Sequence, residues 1–225
     1  MDAYSKYRCW VENDYFDEDT RQELIKIKDD PNEIEERFYK DLEFGTGGLR
    51  GIIGAGTNRI NVYTIRKASQ GVANFISKKG EEARKKGIVI AYDSRHKSPE
   101  FALEAAKVFA GNGIKAYLFD ELRPTPELSF AVRELGAQAG IVITASHNPA
   151  EYNGIKIFTQ GGRDATEKVT SLIEDKIALV SYDNIKSVDF EQGVSDGTIK
   201  LIDPFNEYID TILSMIDVEA IKNAH

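Results

Sequence analysis

Cysteine is almost missing from this sequence: 225 residues contain one, Cys9. A lone thiol makes no intrachain disulfide, and nothing around it has the spacing of a metal cluster or of a catalytic cysteine with its partners. It reads as an incidental thiol. Long apolar runs are missing too. None approaches the roughly 18 residues that cross a bilayer, and no apolar signal core opens the chain. Positive charge is scarce, with 29 Lys and Arg against 37 Asp and Glu and a net charge of −8. That balance argues against nucleic acid as a partner, because such binders present a basic face. With no membrane segment either, a cytoplasmic protein is expected. The acidic balance does not exclude an anionic ligand, since charges beyond about 8–10 Å are screened and a few local cations can govern a site. What is present is a globular balance of 41% apolar and 29% charged residues. The length suffices for one large domain or two small ones.

The first 43 residues read as helical and acidic. Thr20-Arg21-Gln22-Glu23 has the form of a capping box, and Ile34, Phe38 and Leu42 recur at helical spacing after Pro31. The run Asp17-Glu18-Asp19 is taken as a solvated helix start rather than a metal site. From Phe44 strands and helices alternate. Ile88–Tyr92 is an apolar strand, Ser98-Pro99 an expected helix cap, Ile114–Phe119 the next strand, and Thr125-Pro126 another cap. Ala139–Thr144 reads as a strand, returning through Asn153-Gly154, a strong hairpin signal, into Ile155–Phe158. This order predicts an α/β fold: a three-layer α/β/α domain with a mixed, largely parallel sheet, preceded by an N-terminal helical segment. Residues 181–200 are polar and read as a linker or edge excursion. From Asp203-Pro204 an amphipathic helix follows, with Phe205, Tyr208, Ile209, Ile212 and Ile216 on one face.

Chemistry concentrates in Thr144-Ala145-Ser146-His147-Asn148-Pro149, with Tyr152-Asn153-Gly154-Ile155-Lys156 close behind. A serine at a strand end serves as nucleophile, phosphate carrier or turn former. The nucleophile elbow of a serine hydrolase needs Gly-x-Ser-x-Gly, and Ala145 and His147 do not supply it. Asn148 can brace the turn through its amide, and Pro149 fixes the chain direction. Lys156 is either a lysine facing water or a cation for the same turn. A second segment, Glu43-Phe44-Gly45-Thr46-Gly47-Gly48-Leu49-Arg50-Gly51, lacks the Gly-Lys-Ser/Thr of a P-loop. Its glycines permit close backbone approach, and Arg50 offers a planar fork of donors to a phosphate. Asp93 and Arg95 stand at a strand end, where open α/β sheets gather ligands; a surface ion pair is the competing account. His96 reads as structural.

These two motifs resemble the phosphoserine signature and the first motif of the α-D-phosphohexomutases, the phosphoglucomutases and phosphomannomutases. The opening segment with Trp10 resembles the longer branch that includes phosphopentomutases. The resemblance implies that Ser146 carries the exchanged phosphoryl group, with Lys156, His147 and Arg50 in the catalytic cleft. Asn148, Asp93 and Arg95 then support the phosphate loop. It implies magnesium, bound in part through the Ser146 phosphate, with hexose 1,6-bisphosphate as activator and a phosphosugar as substrate. The family's Asp-Gly-Asp-x-Asp-Arg magnesium loop does not occur in this sequence, so the remaining ligands are expected from further domains of the same polypeptide. The implied divisions are a helical extension over 1–43, a first domain over 44–200 and the start of a second over 201–225. The chain by itself is expected to be inactive. A phosphosugar-binding module without turnover, or a phosphopentomutase parent, stands as the alternative.

Overall fold

The computed structural model describes residues 1–45 and 48–224. Thr46 and Gly47 of the glycine-rich segment, and His225, lie outside the described residues. The chain opens with three helices, α1 (Ala3–Glu12), α2 (Glu18–Ile25) and α3 (Pro31–Phe38). Strands β1 (Phe44–Gly45) and β2 (Gly48–Ile52) come next, followed by α4 (Val62–Ser77), α5 (Glu81–Lys86), β3 (Ile88–Tyr92), α6 (Ser98–Gly111) and β4 (Ala116–Phe119). Then follow α7 (Thr125–Glu134), β5 (Ala139–Ile143), β6 (Tyr152–Thr159), β7 (Arg163–Asp164) and α8 (Glu167–Ile177). The chain closes with α9 (Phe190–Ser195), β8 (Ile199–Ile202), α10 (Phe205–Ser214) and α11 (Val218–Asn223). No described helix is long and apolar enough to cross a membrane.

One sheet organises the molecule, in the order β1-β2-β6-β5-β3-β4-β8, with β7 beside β6. β5, β3, β4 and β8 run parallel, while β6 and β2 are antiparallel additions. The expected three-layer α/β/α arrangement with a mixed sheet is therefore present. Alternation along each strand divides the core. Ile88, Ile90, Ile141 and Ile155 pack with α4 and α6, whereas Val89, Ala91 and Val142 pack with Leu128, Ala131 and Val132 of α7.

The N-terminal helices pack onto this body around aromatic rings. Trp10 stacks on Phe16 at 4.2 Å between centroids, and Tyr63 of α4 meets both edge-on. The Tyr63 hydroxyl donates to Asp17 Oδ2 at 2.6 Å and accepts from the Asp17 amide. Burial, aided by that carboxylate, pushes the Tyr63 phenol up to about 12.

Several local expectations are corrected. The cap of α2 is Asp17, whose carboxylate accepts from the Thr20 amide at 2.8 Å, so Thr20 lies inside the helix. Leu42 falls beyond the end of α3. Ser98 is the first residue of α6 rather than its cap. The capping position belongs to Lys97 at φ 67, and Ser98 is buried with its hydroxyl turned to Asp93. Thr125 likewise lies within α7, after Pro124. Asn153-Gly154 is no turn; it sits inside β6, and the reversal occupies residues 144–151. Residues 181–200, read as a linker or edge excursion, hold a short 3₁₀ turn and α9 and lead into β8, which adds to the edge of the sheet beside β4.

Candidate functional site

The buried central strand β5 carries the chain to the end of the sheet at the strand's own C-terminus, where Thr144 and Ala145 remain buried and Ser146 emerges. Ser146 has φ 57, one of two non-glycine residues with a left-handed backbone among the described residues. Its amide donates to Thr144 Oγ1 at 3.0 Å, and the Asn148 amide donates to the Ala145 carbonyl. Ser146 Oγ lies 3.4 Å from His147 Nδ1, both side chains being exposed.

Arg95 holds this reversal in shape. Its Nη2 donates to the carbonyls of Ser146 at 3.0 Å and Asn148 at 2.6 Å, and its Nη1 to those of Pro149 at 2.8 Å and Tyr152 at 3.0 Å. A planar fork of donors suits four converging carbonyls; an ammonium has too few directions to reach them all. Asp93 braces the fork. Its Oδ1 accepts from the Arg95 amide at 3.0 Å and from Ser98 Oγ at 2.8 Å, while its Oδ2 lies 3.6 Å from Arg95 Nε. The fully buried Asn153 closes the network: its amide group donates to the His96 carbonyl and to Ser98 Oγ, both at 2.9 Å. A buried amide needs such partners, which accounts for an asparagine in mid-strand.

Register gathers the cations. Arg50 of β2 stands opposite Gly154 of β6, and the Thr144 amide bonds the Gly154 carbonyl from the other side. Leu49 and Ile155 turn into the α4–α6 layer, so Arg50, Gly154 and Lys156 share the opposite face. A Cβ on Gly154 would sit 2.2 Å from the Leu49 carbonyl oxygen and 3.0 Å from Arg50 Cγ; one on Gly48 would press Lys156 Cγ at 3.1 Å. Glycine at these two positions makes room for the two basic stems. Arg50 Nε is sealed from solvent without a hydrogen-bond partner among the described residues. Lys156 Nζ lies 3.3 Å from Asp164 Oδ2, and no hydrogen bond joins it to Ser146 among the described residues.

All seven expected site residues therefore fall on one end of the sheet, in two groups. Ser146, His147, Asn148, Asp93 and Arg95 form a single connected loop structure. Arg50 and Lys156 sit on the neighbouring strands. Asn148 acts through its main chain, since its amide and carbonyl make the recorded bonds. Thr144, Ser98 and Asn153 were not singled out from the sequence as site residues. The Asx and hydroxyl side chains within the motif were the available signal, and the turn reading of Asn153-Gly154 concealed it.

With that geometry in view, residues 41–183 match the family model described as phosphoglucomutase/phosphomannomutase, alpha/beta/alpha domain I. The chain belongs to this family. It is 35% identical over 222 residues to a phosphoglucomutase of Staphylococcus saprophyticus, covering 95% of this chain and 39% of that protein. Against a Staphylococcus aureus (strain MRSA252) phosphoglucomutase the identity is 42% over 191 residues, covering 79% and 34%. A Schizosaccharomyces pombe protein named a probable phosphoribomutase is 44% identical over 174 residues, covering 74% and 30%. Among solved structures, a phosphomannomutase-type protein from Thermus thermophilus superposes with a TM-score of 0.65 at 27% identity, covering 80% of this chain and 37% of that one. The chain thus spans under two fifths of the length of these phosphoglucomutase/phosphomannomutase relatives.

Proposed function

We propose that this chain is the phosphoserine-bearing first domain of a phosphohexomutase that interconverts hexose 1-phosphate and 6-phosphate, glucose foremost and mannose next. The observation that carries the reading is the Ser146 loop: an exposed hydroxyl on a left-handed residue, held by four carbonyl bonds from Arg95 beside a face bearing Arg50 and Lys156. Phosphoryl transfer asks chiefly for in-line placement and for cations around the transferring oxygens. In this scheme the Ser146 phosphate passes to the sugar, giving a bisphosphorylated intermediate, and a phosphate returns to Ser146 from the other sugar position. Arg50 takes phosphate oxygens through its fork. Lys156, once released from Asp164, neutralises charge or passes a proton, and His147, whose Nδ1 lies 3.4 Å from Ser146 Oγ, donates to the phosphate that this oxygen carries.

Magnesium, when bound, would stabilise charge on the transferring phosphate. Among the described residues no three His, Cys, Asp or Glu side chains come together as a cation site. The described residues do not by themselves fit the ion. The metal ligands, and further sugar contacts, are assigned to other domains of the same polypeptide, so residues 1–225 alone are expected to show no mutase turnover. The S. pombe relative favours a pentose phosphate as a second reading. Loading of Ser146 by a hexose 1,6-bisphosphate tests the proposal: a binding module without turnover would stay unmodified.

A further inference from the structure

Arg50 also opens onto a cavity of about 390 Å³ at the outer edge of β2. Its other walls include Tyr39 and Lys40, which follow α3, Asn58 and Arg59 from the loop after β2, and Tyr152 of β6. The volume falls within the range of roughly 300–1,000 Å³ typical of small-ligand pockets.

Charge and shape agree on what fits. Glu36 and Glu43 also line the cavity, but each is paired, Glu36 with Arg59 and Glu43 with Lys40 at 3.3 Å. The Arg50 charge is left without an acid among the described residues, in a chain that is otherwise acidic. Tyr39 is 52% exposed, with the Lys40 ammonium 5.5 Å from its ring centre. An exposed aromatic face accepts the apolar side of a sugar ring, and a guanidinium accepts a phosphate in two parallel bonds. The walls are also fixed in place. The Asn58 amide donates to the Arg37 carbonyl at 2.9 Å, Asn58 Nδ2 to the Glu36 carbonyl at 2.9 Å, and Thr57 Oγ1 to the Lys40 carbonyl at 2.7 Å. Tyr152 connects the cavity to the Ser146 loop, since its carbonyl is one of the four that Arg95 holds.

We infer that this cavity is a sugar-phosphate pocket in which Arg50 receives the phosphate while Tyr39 and Lys40, supplied by the N-terminal helical segment, recognise the sugar. The inference rests on the reading of Arg50 as a phosphate residue, and extends it by giving the N-terminal segment a part in substrate selection. Calorimetric titration of the 225-residue chain with glucose 1,6-bisphosphate, and separately with inorganic phosphate, tests it. Saturable binding of the bisphosphate is expected, weakened at least about tenfold by Arg50→Ala and about three- to tenfold by Tyr39→Ala or Lys40→Ala. Inorganic phosphate should respond to Arg50→Ala and not to Tyr39→Ala. Tyr39 and Lys40 lie at the surface, so these variants keep the fold, which circular dichroism would verify. Binding lost in Arg50→Ala but unchanged in both Tyr39→Ala and Lys40→Ala overturns the inference and leaves Arg50 as a phosphate residue. Binding indifferent to Arg50→Ala overturns both. Absence of saturable binding at millimolar bisphosphate overturns the pocket, whereas Ser146 loading is read independently by mass.

Discussion

Replacing Ser146 by glycine should stabilise the chain relative to replacing it by alanine, although both substitutions remove the hydroxyl. The reason is backbone strain. At φ 57 a residue with a Cβ pays about 1–2 kcal/mol, and glycine is free of that penalty. Glycine gives back about 0.5–1 kcal/mol of this through its looser unfolded chain. The hydroxyl itself contributes little in either comparison, because among the described residues its one polar side-chain contact is the exposed His147 ring at 3.4 Å. At the middle of both ranges, Ser146→Gly exceeds Ser146→Ala by about 0.75 kcal/mol, or about 1.5–3 °C in Tm for a chain of this size. Urea unfolding followed by circular dichroism resolves such a difference. Lys97 at φ 67, outside the loop, provides a control: Lys97→Gly should exceed Lys97→Ala in the same direction. If Ser146→Ala proves as stable as Ser146→Gly while the Lys97 pair behaves as stated, the loop is not strained, and the idea that strain is stored at the proposed phosphoryl carrier must be abandoned.

Other perturbations follow from the same contacts. Gly154→Ala drives a Cβ to 2.2 Å from the Leu49 carbonyl oxygen, so β2 must separate from β6. A loss at the upper end of the overpacking range, about 3 kcal/mol, is expected in denaturant unfolding. Asn153→Ala leaves the buried Ser98 hydroxyl and the His96 carbonyl short of a donor, and should lower stability by about 1–3 kcal/mol. Arg95→Lys removes most of the four-carbonyl grip; amide exchange should quicken across residues 144–151 and stay unchanged in β3. For pH, the Tyr63 phenol is raised in the folded state, so the native chain holds that proton more tightly than the unfolded chain. Its contribution is complete below the ordinary value of 10.0 and is lost as the pH rises towards about 12. Tyr63→Phe should flatten that alkaline loss, as read by thermal unfolding across the range.

The alternation of strands and helices was legible because each element carries its own period: Ile88–Tyr92 is apolar throughout, and α4 shows a 3.6-residue stripe. Ser146 and Arg50 stand out as candidates because both lie in runs of unusual residue types. The failures share a cause, in that long-range partners overrode local signals. Asn153-Gly154 has the chemistry of a turn, yet buried partners on α6 and the close approach of β2 place it in mid-strand. Thr20 and Ser98 have the chemistry of caps, yet Asp17 is fixed by Tyr63 and Ser98 is drawn to Asp93. β8 is short and partly exposed, with alternation too weak to stand out until its pairing with β4 is seen. The Arg95 grip was invisible for a similar reason, since it acts on main-chain carbonyls more than fifty positions away.

The central claim is that Ser146 carries a phosphoryl group, and the intact mass of the chain tests it most directly. The measurement is made on the chain as purified and again after exposure to hexose 1,6-bisphosphate, with any added phosphate mapped by peptide sequencing. The account predicts one phosphate on Ser146, absent in Ser146→Ala and reduced in Arg95→Lys. A phosphate mapped to a different residue, or a chain that stays unmodified even when joined to the further domains of its polypeptide, would contradict it.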